Sequence, residues 1–235
     1  MIAQIILALA LALGWNASAL NLPMESLLTQ TIEQRVKEFR KLKNSGGYQF
    51  LARTAFDKSN GLQTRWRAIT TMGRMDPEYF HKELERASAS PEWFMRNAAL
   101  IAIQTDEDRD RAVRISMRLL DDPALVVRTQ AVRNLIQLEA REAEPVLWQK
   151  VFSDKNFRGK ESLWVRVHMV EALSRFSSPG NTARFKRLLL DSDERLHKWA
   201  ILGLENTTGM KLGGKELPTA VRRQQWLARL GVEEI

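Results

Sequence analysis

Apolar residues recur along this chain at three- and four-residue steps, and no window alternates at period two for long enough to predict a strand. The pattern is clearest at Val127, Ala131, Leu135 and Leu138, which share one helical stripe. Asp121-Asp122-Pro123 leads into that stripe, and Pro suits a first helical turn, where its missing N–H has no intrahelical use. The segment reads Val-Arg, then Ala three residues after the Arg, then Leu four residues on. Thr64-Arg65 repeats it with Ala68 and Met72, and Met95-Arg96 with Ala99 and Ile103. Val165-Arg166 is followed by Met169 and Leu173, and Leu196-His197 by Ala200 and Leu204. The equivalent positions Arg65, Arg96, Arg128, Arg166 and His197 are separated by 31, 32, 38 and 31 residues. A period in this range predicts stacked helical hairpins.

The elements follow from the stripes and the breakers between them. Met24–Lys43 reads as one helix, closed by Asn44-Ser45-Gly46-Gly47. Five hairpins are expected next. They pair Tyr48–Asp57 with Leu62–Met75, Pro77–Ser88 with Pro91–Gln104, and Asp108–Leu120 with Pro123–Leu138. The last two pair Glu142–Phe152 with Glu161–Phe176, and Asn181–Leu190 with Asp193–Asn206. Asp76-Pro77 and Ser90-Pro91 read as a cap followed by a first-turn Pro. Met210–Leu217 reads as a loop and Pro218–Leu230 as a final helix. The expected fold is all-α: an α-solenoid, or α-α superhelix, of about five hairpins over residues 47–209. A capping helix lies in residues 20–46, and a loop with a second capping helix in residues 210–235.

The Asp-Pro turn at Asp121–Pro123, the Val-Arg pairs at Val127-Arg128 and Val165-Arg166, and the small residues Ala68, Ala99, Ala131 and Ala200 resemble the HEAT repeat, in its shorter bacterial HEAT-like form. The resemblance runs from about Gly47 to Gly209. It implies an armadillo-like solenoid whose repeated Arg bonds to Asp and backbone carbonyls of its own or a neighbouring turn. It does not imply one activity, because the family spans scaffolds, adaptors, pigment lyases and DNA glycosylases.

The first 19 residues contain no charged side chain, and Ile5–Leu13 is an unbroken apolar run ahead of Ala17-Ser18-Ala19. This reads as a secretory signal cut near Ala19, placing the mature chain in the periplasm or outside the cell. An uncleaved anchor is the other reading, although the run is short for a membrane span. The chain has no Cys, which removes disulfides, thiolate catalysis and cysteine metal sites. Its net charge is +8 and its pI near 10, so an anionic envelope component is a credible partner: lipid head groups, glycan or, in a cytosolic setting, nucleic acid. Denser basic spots are Arg35–Lys43 and Arg184–Arg187.

Candidate chemistry is sparse. The three His (His81, His168, His197) form no His-Glu dyad and no i, i+4 pair, and there is no phosphate-cradling Gly loop or Gly-x-Ser-x-Gly elbow. No catalytic, cofactor-binding or metal-binding residue is assigned. The repeated Arg can be read as a ladder gripping an anion, or as a structural tie to Asp121, Asp122, Asp154, Asp191 and Asp193. Arg65 and Arg96 have no such acid nearby in sequence. At about 100° per residue, the positions two before, two after and five after each Arg lie opposite the core stripe. On the concave face of a solenoid these are Gln63, Arg67 and Thr70; Phe94, Ala98 and Ile101; Val126, Gln130 and Arg133; Trp164, His168 and Glu171; Arg195, Trp199 and Leu202. Arg67, Phe94, Ile101, Arg133, Trp164, His168 and Trp199 are therefore the candidate partner-binding residues, aromatic and Arg side chains being enriched where proteins dock. The alternative is that curvature buries Trp164 and Trp199 between helices. The longer 38-residue step places extra residues in Ser153–Lys160, a basic loop with Phe157, read either as a contact element or as a tolerated insertion.

The reading is an exported, non-enzymatic HEAT-like scaffold or adaptor that binds a protein on its concave face. A charge-driven module for an anionic surface or polymer is the alternative, and a HEAT-like enzyme a remote third.

Overall fold

The computed structural model of the protein describes residues 24–231 except 177 and 215; the expected signal at residues 1–19 lies outside them. The described residues are mostly helical, with short 3-10 turns and one two-stranded sheet. Its contacts divide it into two compact units, one ending at Ile115 and the other beginning at Ser116.

In the first unit the expected single helix over Met24–Lys43 is two pieces. Residues 24–27 are helical, and α1 (Ile32–Lys41) starts afresh after Thr31. Thr31 Oγ1 accepts the Gln34 N–H at 3.4 Å, and Gln34 Oε1 accepts the Thr31 N–H at 3.3 Å. This reciprocal capping box satisfies two helix-start donors and favours the break. At the other end of α1 two glycines do different work. Gly46 takes a left-handed φ of 82°, and a Cβ on Gly47 would lie 2.5 Å from Leu42 Cβ. Then α2 (Gly47–Phe56) packs on α3 (Leu62–Met75), and α4 (His81–Ser88) packs on α5 (Trp93–Ala102). The two second helices, α3 and α5, also pack on each other, and α1 packs on α3. Arg35 of α1 is buried, donating to Thr71 Oγ1 at 2.9 Å and to the Gln30 carbonyl at 2.8 Å.

The unit boundary falls inside α6 (Arg109–Leu119). In the second unit α7 (Leu125–Gln137) packs on α9 (Val165–Phe176), which packs on α11 (His197–Thr208). The first helices α8 (Glu144–Val151) and α10 (Thr182–Leu189) flank α9 and α11. Finally α12 (Thr219–Arg229) lies against α10 and α11 with Trp226 fully buried. Motif slots and core coincide: Ala68, Met72, Ala99, Ile103, Val127, Ala131, Leu135, Met169, Leu173, Ala200 and Leu204 are all at 0% exposure.

Two expectations about entry turns are corrected. Pro77, Pro91 and Pro123 do not open helices; α4, α5 and α7 begin at His81, Trp93 and Leu125, after a turn that contains the Pro. For the last two the reason is the repeated Arg. Arg96 Nη1 takes the Ser90 and Pro91 carbonyls, both at 2.8 Å, and Arg128 Nη1 takes the Asp122 and Pro123 carbonyls at 2.7 and 3.0 Å. Those carbonyls face a guanidinium and are not free to start a helical ladder.

The second correction concerns the insertion and the residues after it. Glu161–Trp164 do not start a helix. After a 3-10 turn at Asp154–Asn156, β1 (Phe157–Arg158) pairs antiparallel with β2 (Glu161–Ser162), with Phe157 opposite Ser162 and Arg158 opposite Glu161. Gly159 has φ +60°, as the first central position of a two-residue hairpin turn favours. Strands of two residues are too short to show any alternation in sequence.

Candidate interaction surface

Of the repeated basic residues, Arg65, Arg128, Arg166 and His197 are buried and Arg96 is half-buried. Arg65 is buried; its Nε donates to the Ala55 carbonyl at 3.0 Å, and its two Nη groups meet the Glu92 carboxylate at 2.8 and 2.5 Å. Arg166, at 0% exposure, repeats the arrangement with Nε to the Val151 carbonyl at 2.9 Å and both Nη groups on Asp191, at 3.3 and 2.5 Å. Arg128 reaches Asn156 Oδ1 at 3.0 Å and the Lys155 carbonyl at 2.8 Å. His197 pairs its Nε2 with the Asp191 carbonyl at 2.9 Å. Arg65, Arg128 and Arg166 thus each tie their own hairpin to the segment leading into the next second helix. The ladder reading fails for these three because their guanidinium groups are spent on internal acceptors. The acid for Arg65, Glu92, is distant in sequence and invisible to a local search. Its carboxyl is held below the usual carboxylate range by the Arg65 hydrogen bond. Among the acids expected to serve this ladder, Asp121 instead pairs with Lys150 and Lys155, each at 3.0 Å, and Asp193 with Arg195 at 2.7 Å.

The expected surface positions behave differently in the two units. In the first, Arg67 and Ile101 are half-buried, whereas Thr70, Phe94 and Ala98 are buried. Phe94 is turned inward, with the Arg65 guanidinium 5.1 Å from its ring centre. The exposed aromatic is its neighbour Trp93, at 48%, one residue away in phase and the first residue of α5.

In the second unit α7, α9 and the turn before α9 bring Arg133, His168 and Trp164 together. Trp164 is 40% exposed and meets the His168 ring edge-on at 5.7 Å, with the Arg133 guanidinium 5.9 Å from its centre. His168 Nδ1 lies 3.7 Å from Glu171, which also holds Arg175 at 2.7 Å. Val126, 40% exposed, adds an apolar position on α7. Trp199 on α11 is half-buried, with Lys198 Nζ 4.8 Å from its ring centre.

This cluster predicts a pH effect. Burial pushes the His168 imidazole below its ordinary 6.5, and Arg133 repels the proton further, against an opposing pull from Glu171. The unfolded chain then binds this proton more readily than the folded one. His168 should hold its stabilising contribution above about pH 6.5 and lose it as pH falls through its lower folded value. NMR titration of the imidazole should give a midpoint below 6.5 in the native protein, and Arg133→Gln should raise it. A native midpoint at or above 6.5 would contradict this electrostatic account.

No protein-family model and no curated protein matches the chain. Among solved structures the chain is similar to the crystal structure of an engineered protein, a Northeast Structural Genomics Consortium target. The identity is 16%, over 83% of this chain and 92% of that one, with a TM-score of 0.51. At that identity the likeness speaks to fold alone.

Among the described residues, no three His, Cys, Asp or Glu side chains are grouped to hold a metal ion. His81 and His197 each contact a backbone carbonyl, of Glu78 and Asp191, in different units. No described helix is long and apolar enough to cross a membrane. The insertion, in contrast, shapes a groove of about 770 Å³ in the second unit, between the β-hairpin and the C-terminal end of α10.

Proposed function

We propose that this protein is a HEAT-like α-solenoid scaffold that binds a protein partner, without catalysis, through its second helices, centred on Arg133, Trp164 and His168. The observation that carries the reading is Trp164: a large aromatic left 40% exposed, yet held between an imidazole edge and a guanidinium. Rigid, partly exposed aromatics beside Arg are what docking surfaces use as anchors. The solenoid part is supported by the inter-hairpin ties of Arg65, Arg128 and Arg166, which join successive hairpins in one direction. The non-catalytic part is supported by Glu171, the acid beside His168, which is already held by Arg175 at 2.7 Å. Residues 1–19 support export. If that is right, amino-terminal sequencing of the protein recovered from the envelope should begin at Leu20.

The test is a pull-down with Asn21–Ile235 immobilised, beside a Trp164→Ala/Arg133→Gln variant, in envelope extract. One defined protein should be retained at about 0.15 M salt and above, and be lost with the variant. Salt-sensitive capture of lipid, glycan or nucleic acid by both forms would overturn it in favour of a charge-driven module, the reading that the +8 net charge supports.

A further inference from the structure

The groove beside the insertion combines three features that the folded chain itself does not use. Its apolar lining comes from Phe152, Phe157 and Leu190. Leu190 is 48% exposed although it ends α10, and both rings are only half-buried. Each ring is stacked by a guanidinium: Arg187 lies 4.2 Å from the Phe152 centre and Arg166 lies 4.3 Å from the Phe157 centre. The two cations differ. Arg166 is fully spent on Asp191, Ser162 and the Val151 carbonyl. Arg187 is exposed and, among the described residues, its guanidinium engages the Phe152 ring alone, so its edges remain open to a planar anion. Across the groove, Lys160 at the tip of the β-hairpin is exposed and forms no ion pair with another described residue. The lining acids are Asp191, neutralised by Arg166, and Asp154. The groove therefore presents three cations against two carboxylates around an apolar floor.

We infer that this groove is a second binding site, separate from the Trp164 cluster, for a short acidic peptide segment that carries an apolar side chain between its carboxylates. An apolar side chain would cover Leu190 and the two rings, while flanking carboxylates meet Arg187 and Lys160. A volume of about 770 Å³ is of the size that holds a compact ligand. A bare inorganic anion would leave the apolar floor uncovered, and an apolar ligand would leave two cations unmatched. The wall that makes the groove is the hairpin within the one 38-residue step of an otherwise 31- or 32-residue period. The departure from periodicity and the groove are thus the same feature.

The experiment is NMR on the full chain with the N-acetylated peptide Glu-Glu-Leu-Phe-Glu-Glu. Controls are Lys-Lys-Leu-Phe-Lys-Lys, inorganic phosphate, and vesicles of phosphatidylcholine and phosphatidylglycerol in equal parts. The acidic peptide should shift the amides of Gly159, Lys160 and Leu190 saturably and leave the Trp164 indole unmoved, and the basic peptide should do neither. Arg187→Gln and Lys160→Gln, both at exposed positions, should each weaken binding about tenfold. Asp154→Asn should tighten it about two- to fivefold by removing a like charge. The inference is overturned if the two peptides bind alike, if Arg187→Gln and Asp154→Asn leave the affinity unchanged, or if the shifts fall on Trp164 and Arg133. It is equally overturned if only the vesicles or phosphate move the groove amides, which would make the site one for phosphate groups. None of these outcomes depends on the proposed partner of the Trp164 cluster.

Discussion

Arg166→Leu should lower the stability of the second unit by about 3–5 kcal/mol, more than any substitution of a surface cation. The guanidinium is at 0% exposure and satisfies three separate acceptors: the Val151 carbonyl at the end of α8, Ser162 Oγ in the β-hairpin, and the Asp191 carboxylate in the turn before α11. Leu fills part of the volume but donates nothing. The Val151 carbonyl is left without its side-chain donor, and the Asp191 carboxylate, 17% exposed, loses its counter-ion. Leaving one member of a buried ion pair is far more damaging than removing both. Arg166→Leu/Asp191→Asn should accordingly recover part of the loss, whereas exposed Arg133→Leu should change stability by about 0.5 kcal/mol at most. Urea unfolding of the four proteins, followed by hydrogen exchange of the α9 and α11 amides, measures this. A loss for Arg166→Leu of less than about 1 kcal/mol would show that water replaces the guanidinium, and that the tie contributes little.

Gly73→Ala should destabilise the first unit by about 1–3 kcal/mol, although helix propensity alone predicts a gain of about 1 kcal/mol. Gly73 lies near the end of α3, where α3 meets α5. A Cβ there would fall 2.4 Å from Ala102 Cβ and 2.5 Å from the Ala102 carbonyl oxygen. Backbone cannot step aside as the tip of a long side chain can, so the helices would have to separate. The sign of the change in urea midpoint decides between propensity and packing. Stabilisation by Ala would mean that α3 and α5 are not in such close contact in solution. Gly203→Ala is the matching probe in the second unit, since its Cβ would lie 2.3 Å from the Phe185 ring.

The second helices were readable because a buried stripe at helical spacing repeats with its Arg. Every Ala, Met, Ile and Leu slot of that motif lands in the core. The capping box at Thr31-Ile32-Glu33-Gln34 was also present to be read, but the apolar stripe running through it suggested continuity. Pro123 illustrates a different loss. Local rules place Pro at a helix start, and only the three-dimensional path shows Arg128 drawing the preceding carbonyls away. Face assignment needs the phase of each helix to better than one residue. At about 100° per residue, a shift of one exchanges Phe94 for Trp93. In the second unit the same arithmetic selected Arg133, Trp164 and His168 as face positions, and their adjacency is seen only in the structure. The β-hairpin was beyond reach because its strands are two residues long and are specified by the turn at Gly159.

The internal ties also determine where one module ends and the next begins. Arg65 is anchored by Glu92 and Arg166 by Asp191, each on the entry turn of the following second helix. A cut between hairpins would thus strand a guanidinium in the piece that precedes it. The natural seam lies within a hairpin, after the acidic entry turn and ahead of the helix that it introduces. A truncated or duplicated version joined at Asp191 should keep its charges matched. One joined at the loop before α10 carries Arg166 into a new context without its acid, so the boundaries suggested by helix pairs are not those along which the protein could be taken apart and rebuilt.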